Sequence, residues 1–136
     1  MKDDYFIIDA NILISAFLSR HTTTSLAYDK AKGLGELAFS RETYGEFCDV
    51  FMRTKFDQFV SRDTRLNIIK GLKEVAIFSE ITEKIRVCRD SNDDKFLELA
   101  VSVKASCIIT GDKDLLILHP FENIPIVSAA DFLENF

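Results

Sequence analysis

Short apolar runs that stop abruptly at a polar residue set the strongest limit on how this chain of 136 residues folds. Tyr5-Phe6-Ile7-Ile8 halts at Asp9, and Cys107-Ile108-Ile109 halts at Thr110-Gly111-Asp112. A strand with one face in water alternates apolar and polar side chains. A run without alternation, rich in aromatic and β-branched residues, reads instead as a strand buried on both faces. Such strands belong to parallel sheets, whose crossover connections lay helices over each side.

The segments between the runs have helical spacing. Ile12 to Leu18 reads as a short buried helix, and Ser25 to Leu37 as another with Gly33 and Gly35 near its end. Leu37 to Phe39 reads as a second strand. From Arg41 to Arg53, the residues Tyr44, Phe47, Cys48 and Phe51 form an apolar stripe behind Ser40 as N-cap, with Glu42, Glu46 and Asp49 opposite. Asp63 to Val75 is a further amphipathic helix, followed by a strand at Phe78 to Ile81 and a polar stretch. Ser91-Asn92-Asp93-Asp94 opens a helix through Phe96, Leu97, Leu99, Ala100 and Val103. A helix from Asp114 to Leu118, a strand at Ile124 to Val127 and a helix from Ala129 complete the order. This alternation predicts an α/β sandwich with a mainly parallel central sheet of four to five strands and helices on both faces. With 47% hydrophobic residues, 5 Gly, 2 Pro and no biased tract, residues 1–136 read as one domain without a linker.

Several classes of function are disfavoured. A net charge of −5 argues against a general electrostatic grip on nucleic acid, although a pocket holding divalent cations reverses the sign locally. Cys48, Cys88 and Cys107 are odd in number and lack C-x-x-C spacing, so neither a disulfide framework nor a zinc site is expected. They suit a reducing cytoplasm. The start, Met1-Lys2-Asp3-Asp4, lacks the positively charged n-region of a signal peptide, and no apolar run approaches the roughly 18 residues of a membrane span. A cytoplasmic protein without a membrane segment is the expectation.

Four acids stand where strands end or helices open: Asp9, Glu46, Asp94 and Asp112. Ligands of open parallel sheets bind beyond the carboxyl ends of the strands, where Asp9 and Asp112 lie. Asp94 reaches the same edge if its helix runs antiparallel to its neighbouring strands. Hard cations prefer oxygen ligands, so three or four acids suit one or two Mg²⁺ or Mn²⁺ ions. Paired ions about 4 Å apart are a known clamp for in-line displacement at phosphorus. Histidine is not needed, and His21 and His119 show no ligand spacing.

Each acid also has a structural explanation. Asp9 and Asn11 fit a turn and helix cap, Glu46 a solvated helix face, Asp94 the start of a helix dipole, and Thr110-Gly111-Asp112 a tight capping turn. Asn11 and Thr110 either orient an acid or bridge backbone groups. Arg53, Lys55, Arg86, Arg89, Lys95 and Lys113 can meet a phosphate backbone, but scattered cations are more often a solvated surface. Phe56 and Phe59 suit core or interface better than base stacking.

Taken in order, the strings resemble the PIN domain family over essentially the whole chain, in particular the stand-alone prokaryotic, VapC-like toxin components of toxin–antitoxin pairs. The resemblance rests on Asp9 with Asn11, on Ser40 to Glu46 followed by Arg53 and Lys55-Phe56, on Asp90 with Asp93-Asp94-Lys95-Phe96-Leu97 and Ala100, and on Thr110 to Leu116. It implies a Rossmann-like domain that acts as a Mg²⁺- or Mn²⁺-dependent endoribonuclease, commonly homodimeric and silenced by a cognate antitoxin. By position Asp9, Glu46, Asp94 and Asp112 carry over as metal-binding catalytic acids, supported by Asn11 and Thr110. Asp93 is the rival to Asp94, whose distances to Thr110 and Asp112 fit the pattern better.

Two other classes compete. A Mg²⁺-binding receiver-like phosphoacceptor domain wants an acceptor Asp at a central strand end and a Lys-Pro after a late strand. Asp57 sits in Lys55-Phe56-Asp57-Gln58-Phe59, and neither Pro120 nor Pro125 follows a lysine. A non-catalytic RNA-binding or interaction module would be favoured by loss of an acid, and none is missing.

Overall fold

The computed structural model describes residues 4–136. Five strands, β1 (Tyr5–Ile8), β2 (Glu36–Phe39), β3 (Ile77–Phe78), β4 (Cys107–Ile109) and β5 (Ile126–Val127), form one sheet in the order β3-β2-β1-β4-β5. Every pairing is parallel. Between them lie α1 (Ala10–Leu18), α2 (Thr23–Leu34), α3 (Arg41–Phe51), α4 (Arg62–Val75), α5 (Asp94–Val103), α6 (Lys113–Leu116) and α7 (Ala129–Asn135).

The two-sided burial expected from the apolar runs is met residue by residue. Phe6, Ile8, Leu37, Phe39, Cys107 and Ile109 face one core, shared with residues of α1, α2, α3, α4 and α7. Ile7, Ala38, Ile108 and Ile126 face the other, against Phe96, Leu97, Leu99 and Ala100 of α5 and Leu115 of α6. Successive strand residues point to opposite faces, so both cores need apolar side chains from the same short strands. Among the described residues no helix is long and apolar enough to cross a membrane.

Several boundaries differ from the sequence reading: α1 starts at Ala10 rather than Ile12, α3 ends at Phe51 rather than Arg53, α6 spans Lys113–Leu116 rather than Asp114 to Leu118, and β5 starts at Ile126 rather than Ile124. The second helix ends at Leu34 rather than Leu37, because Gly35 abuts Asp4 so closely that a Cβ there would lie 2.3 Å from the Asp4 carbonyl oxygen. The Glu36 N–H then donates to that same carbonyl and starts β2. The strand expected at Phe78 to Ile81 closes after Phe78. Beyond it the chain leaves the sheet, and its backbone donors are met by α5: Thr82 N–H by Ser102 Oγ at 3.1 Å, Ile85 N–H by Glu98 Oε2 at 3.1 Å, and Val87 and Cys88 N–H by Asp94 Oδ1 at 3.2 and 2.8 Å. Side chains replace the missing neighbouring strand, which keeps the buried Ile85 backbone satisfied.

The strand order reverses between β1 and β4. In open α/β sheets this switch point leaves a crevice beyond the strand ends, since the connections on either side lead away in opposite directions. The register pairs Ile8 with Ile109, so Asp9 and Thr110 emerge side by side into that crevice.

Candidate active site

Asp9 is both the residue after β1 and the N-cap of α1, accepting the Asn11 N–H at 3.4 Å on Oδ1. The Thr110 hydroxyl donates to its Oδ2 at 2.8 Å. Thr110 is fully buried, and its Oγ1 in turn accepts the Asp112 N–H at 3.0 Å. One hydroxyl therefore ties the end of β1 to the turn after β4. Asp112 then caps α6 through the Asp114 N–H at 2.9 Å. The supporting role given to Thr110 has this concrete geometry, whereas Asn11 contributes its backbone N–H and is exposed.

The third acid in the crevice is Asp93. Carboxylate oxygens of Asp93, Asp112 and Asp114 lie within 4.8 Å of one another. Asp93 Oδ2 is buried without a hydrogen-bond partner. Burial, then contact with Asp112 and the charges of Asp112, Asp90 and Asp9, push the Asp93 carboxyl up to about 7. Burial also raises Asp9, against the opposing pull of the Thr110 and Asn11 hydrogen bonds, with the charges of Glu46 and Asp112 adding to the rise. Acids crowded into a dry crevice in this way resist ionisation unless a cation joins them.

Asp94, the third acid chosen from spacing, is turned elsewhere. Its Oδ1 takes the two backbone donors of Val87 and Cys88. Burial works against its charge, but the Cys88 N–H and thiol, the Val87 N–H and the Arg86 charge outweigh it and hold the carboxyl below its ordinary value. Asp93 sits in a short 3₁₀ turn, Ser91–Asp93, and Asp94 begins α5. Neighbours on a helical path point about 100° apart, so only one of them faces the crevice.

Glu46, expected as a metal acid, stands at the rim. Its Oε2 accepts Lys95 Nζ at 2.7 Å and Asn92 Nδ2 at 3.1 Å, which commits it to a charged pair beside the cluster. Asp114 is the acid that sequence reasoning missed as a site residue. Its signal was present in the Asp112-Lys113-Asp114 spacing, where one acid caps the helix turn that presents the other.

The donor set suits a hard cation. Three carboxylates, one with an orphaned buried oxygen, offer oxygen ligands of the type Mg²⁺ and Mn²⁺ prefer. Cys88 is no competitor, because burial, its hydrogen bond to Asp94 and the nearby carboxylates push its thiol up to about 12.

A parallel sheet with acids gathered at its switch point defines an α/β protein whose strand ends carry a cluster of carboxylates. Residues 5–114 match the PIN domain, and the chain belongs to the PIN domain family. The uncharacterized protein MJ1680 of Methanocaldococcus jannaschii is 28% identical over 151 aligned positions, which span 96% of this chain and 90% of that protein. Among solved structures, VapBC2 from Rickettsia felis bound to a DNA fragment from their promoter is similar in fold, with a TM-score of 0.58 over 91% of this chain and 98% of the matched chain. The identity there is 9%.

Proposed function

We propose that this chain is a Mg²⁺- or Mn²⁺-dependent endoribonuclease, and the toxin component of a toxin–antitoxin pair. The observation that carries the reading is Asp93: a buried carboxyl with an unpartnered oxygen, held against Asp112 and Asp114 at the switch point. Family membership supplies the reaction class, since PIN domains are in general ribonucleases.

Asp93, Asp112 and Asp114 would hold the cation, with Asp9 beside them under the control of Thr110. A divalent ion there supplies positive charge where a phosphodiester undergoing hydrolysis gathers negative charge. The chain's own contribution is placement. Thr110 fixes the Asp9 carboxylate and the Asp112 backbone at once, so the two acids cannot drift apart. Glu46 holds the Lys95 ammonium at the rim, where it faces an arriving phosphate. Asp94 keeps the wall beside the cluster in position and has no ligand role in this assignment.

The partners that follow are RNA, a cognate antitoxin and a second copy of the chain, in the cytoplasm. The VapBC2 structure, similar in fold, has a protein pair on promoter DNA, which supports looking for a partner protein encoded nearby.

A calorimetric Mn²⁺ titration tests the site before any RNA target is known. Saturable binding by the wild type, lost in Asp93→Asn and kept in Asp94→Asn, is the expected outcome, with cleavage of RNA in Mn²⁺ falling by at least about 100-fold in Asp93→Asn. A wild type that binds no Mn²⁺ at millimolar concentration would hand the fold to the non-catalytic interaction module instead.

A further inference from the structure

A trough of about 1040 Å³ runs between α3 and the segment that α5 pins, and ends beside the acids at Glu46 and Cys88. Its volume is at the top of the ~300–1,000 Å³ range of small-molecule sites, and it is open along its length, the shape of a bed for a chain. Arg41 at the start of α3 and Arg53 just past its end stand on one wall, and Lys84 and Arg86 on the other. All four are exposed, and the ion pairs among the described residues are Arg65 with Asp57 and Lys95 with Glu46. Among the described residues, none of the four has a carboxylate at ion-pairing distance.

The trough's acids are largely committed by comparison. Asp94 and Glu98 accept backbone N–H groups, and Glu46 is paired with Lys95. Glu42 and Asp49 make no ion pair among the described residues, and Arg86 lies near enough to Asp94 for its charge to act on that carboxyl. Counted whole, the lining is neutral, five cations against five acids, in a chain of net charge −5. Both walls are also built. Ile85 is buried with its N–H on Glu98, which turns its neighbours Lys84 and Arg86 outward, and the Arg53 carbonyl accepts from the buried Arg65 at 3.1 Å. Cations held on fixed backbone lose less freedom on binding than those on a loose loop.

We propose that this trough is a backbone track for single-stranded RNA, in which Arg41, Arg53, Lys84 and Arg86 contact successive phosphates and deliver one to the acid cluster. The assignment rests on the nuclease reading and names its substrate-binding surface. No aromatic side chain lines the trough, so bases have no stacking platform, and affinity comes from phosphates. Continuity with a cation-holding cluster decides for a polynucleotide over an acidic protein segment. A peptide carboxylate gains nothing from being led to a hydrolytic centre.

The test is fluorescence anisotropy of a labelled 12-nucleotide oligo-U in EDTA, titrated at salt concentrations from 50 to 200 mM. Four phosphate contacts on a single strand give a slope of log K against log salt of about −3. Arg53→Ala, Lys84→Ala and Arg86→Ala each weaken binding about 3- to 10-fold and make the slope shallower by about 0.7, whereas Lys70→Ala on α4 changes neither. Oligo-A binds within about 2-fold of oligo-U, as a phosphate-reading surface requires. Absence of oligo-U binding, slopes unchanged in the three variants, or binding of polyglutamate in place of the oligonucleotide overturns the track. The readout needs no metal and no cleavage. Intact Mn²⁺-dependent cleavage with unaltered slopes removes the track and leaves the nuclease, while altered slopes in a protein that binds no Mn²⁺ remove the nuclease and leave a strand-binding module.

Discussion

Asp93 and Asp94 are consecutive, comparably buried and opposite in behaviour. Asp93 is pushed up to about 7 and Asp94 held below its ordinary value, because one meets carboxylates and the other meets N–H donors. The consequences for stability carry opposite signs. A folded-state value above the unfolded 3.8 means that the native protein holds an extra proton, so Asp93 withdraws stability as pH rises from about 4 through 7. Asp93→Asn removes that loss, and without metal the variant should be more stable than the wild type at pH 8 by up to about 4 kcal/mol, with little difference at pH 4. Chemical denaturation in EDTA at the two pH values measures it, and equal stabilities at pH 8 would show that Asp93 ionises freely. Asp94 contributes stability above its unfolded value, lost as pH falls through the lower folded one. Asp9, Thr110 and Asp112 were legible in the sequence because each follows an unmistakable strand. The choice between Asp93 and Asp94 was not, since it depends on one 3₁₀ turn that no periodicity reveals. The rim position of Glu46 was not legible for a related reason: the Lys95 that holds it is distant in sequence.

At the scale of elements, α5 does two jobs with two faces. Phe96, Leu97, Leu99 and Ala100 fill a core, which the sequence announced through its apolar spacing. Its other face carries Asp94, Glu98 and Ser102 at four-residue intervals, one stripe on a helix, and that stripe receives the backbone of residues 82 to 88. Sequence reasoning saw the receiving segment only as polar, because a backbone held by side chains leaves no periodic signature. Arg65 does comparable work across the α3–α4 connection, where its buried guanidinium donates to the carbonyls of Phe51, Arg53 and Val60 and pairs with Asp57. The stripe predicts a local effect. Glu98→Ala leaves the Ile85 N–H without its acceptor and should cost about 1–2 kcal/mol, whereas Glu98→Gln keeps an acceptor oxygen and should cost less. Amide hydrogen exchange reads it directly: faster exchange at Ile85 and its neighbours in Glu98→Ala, with the β1 amides unchanged. Unaltered exchange at Ile85 would mean that water serves the segment as well as the carboxylate does.

For the whole molecule, the site exists only when the sheet does. Asp9, Asp93, Asp112 and Asp114 come from three regions of the chain: the Ile8–Ile109 register between β1 and β4 joins two of them, and α5, packed on the same strands, brings the third. An unfolded chain gathers no such set, so cation binding adds to folding stability through simple linkage. At a free Mn²⁺ concentration 100 times its Kd the native state should gain about 2.7 kcal/mol, a rise of several degrees in Tm for a domain of this size. The gain also depends on pH, because the cation displaces the proton that Asp93 retains up to about 7. The Mn²⁺-induced rise in Tm should therefore be small at pH 5, grow through pH 7 and level off above pH 8, and it should vanish in Asp112→Asn at every pH. Differential scanning calorimetry across that range distinguishes a site in the crevice from cations bound loosely on an acidic surface. Surface binding would raise Tm in wild type and Asp112→Asn alike, with no inflection near the Asp93 value.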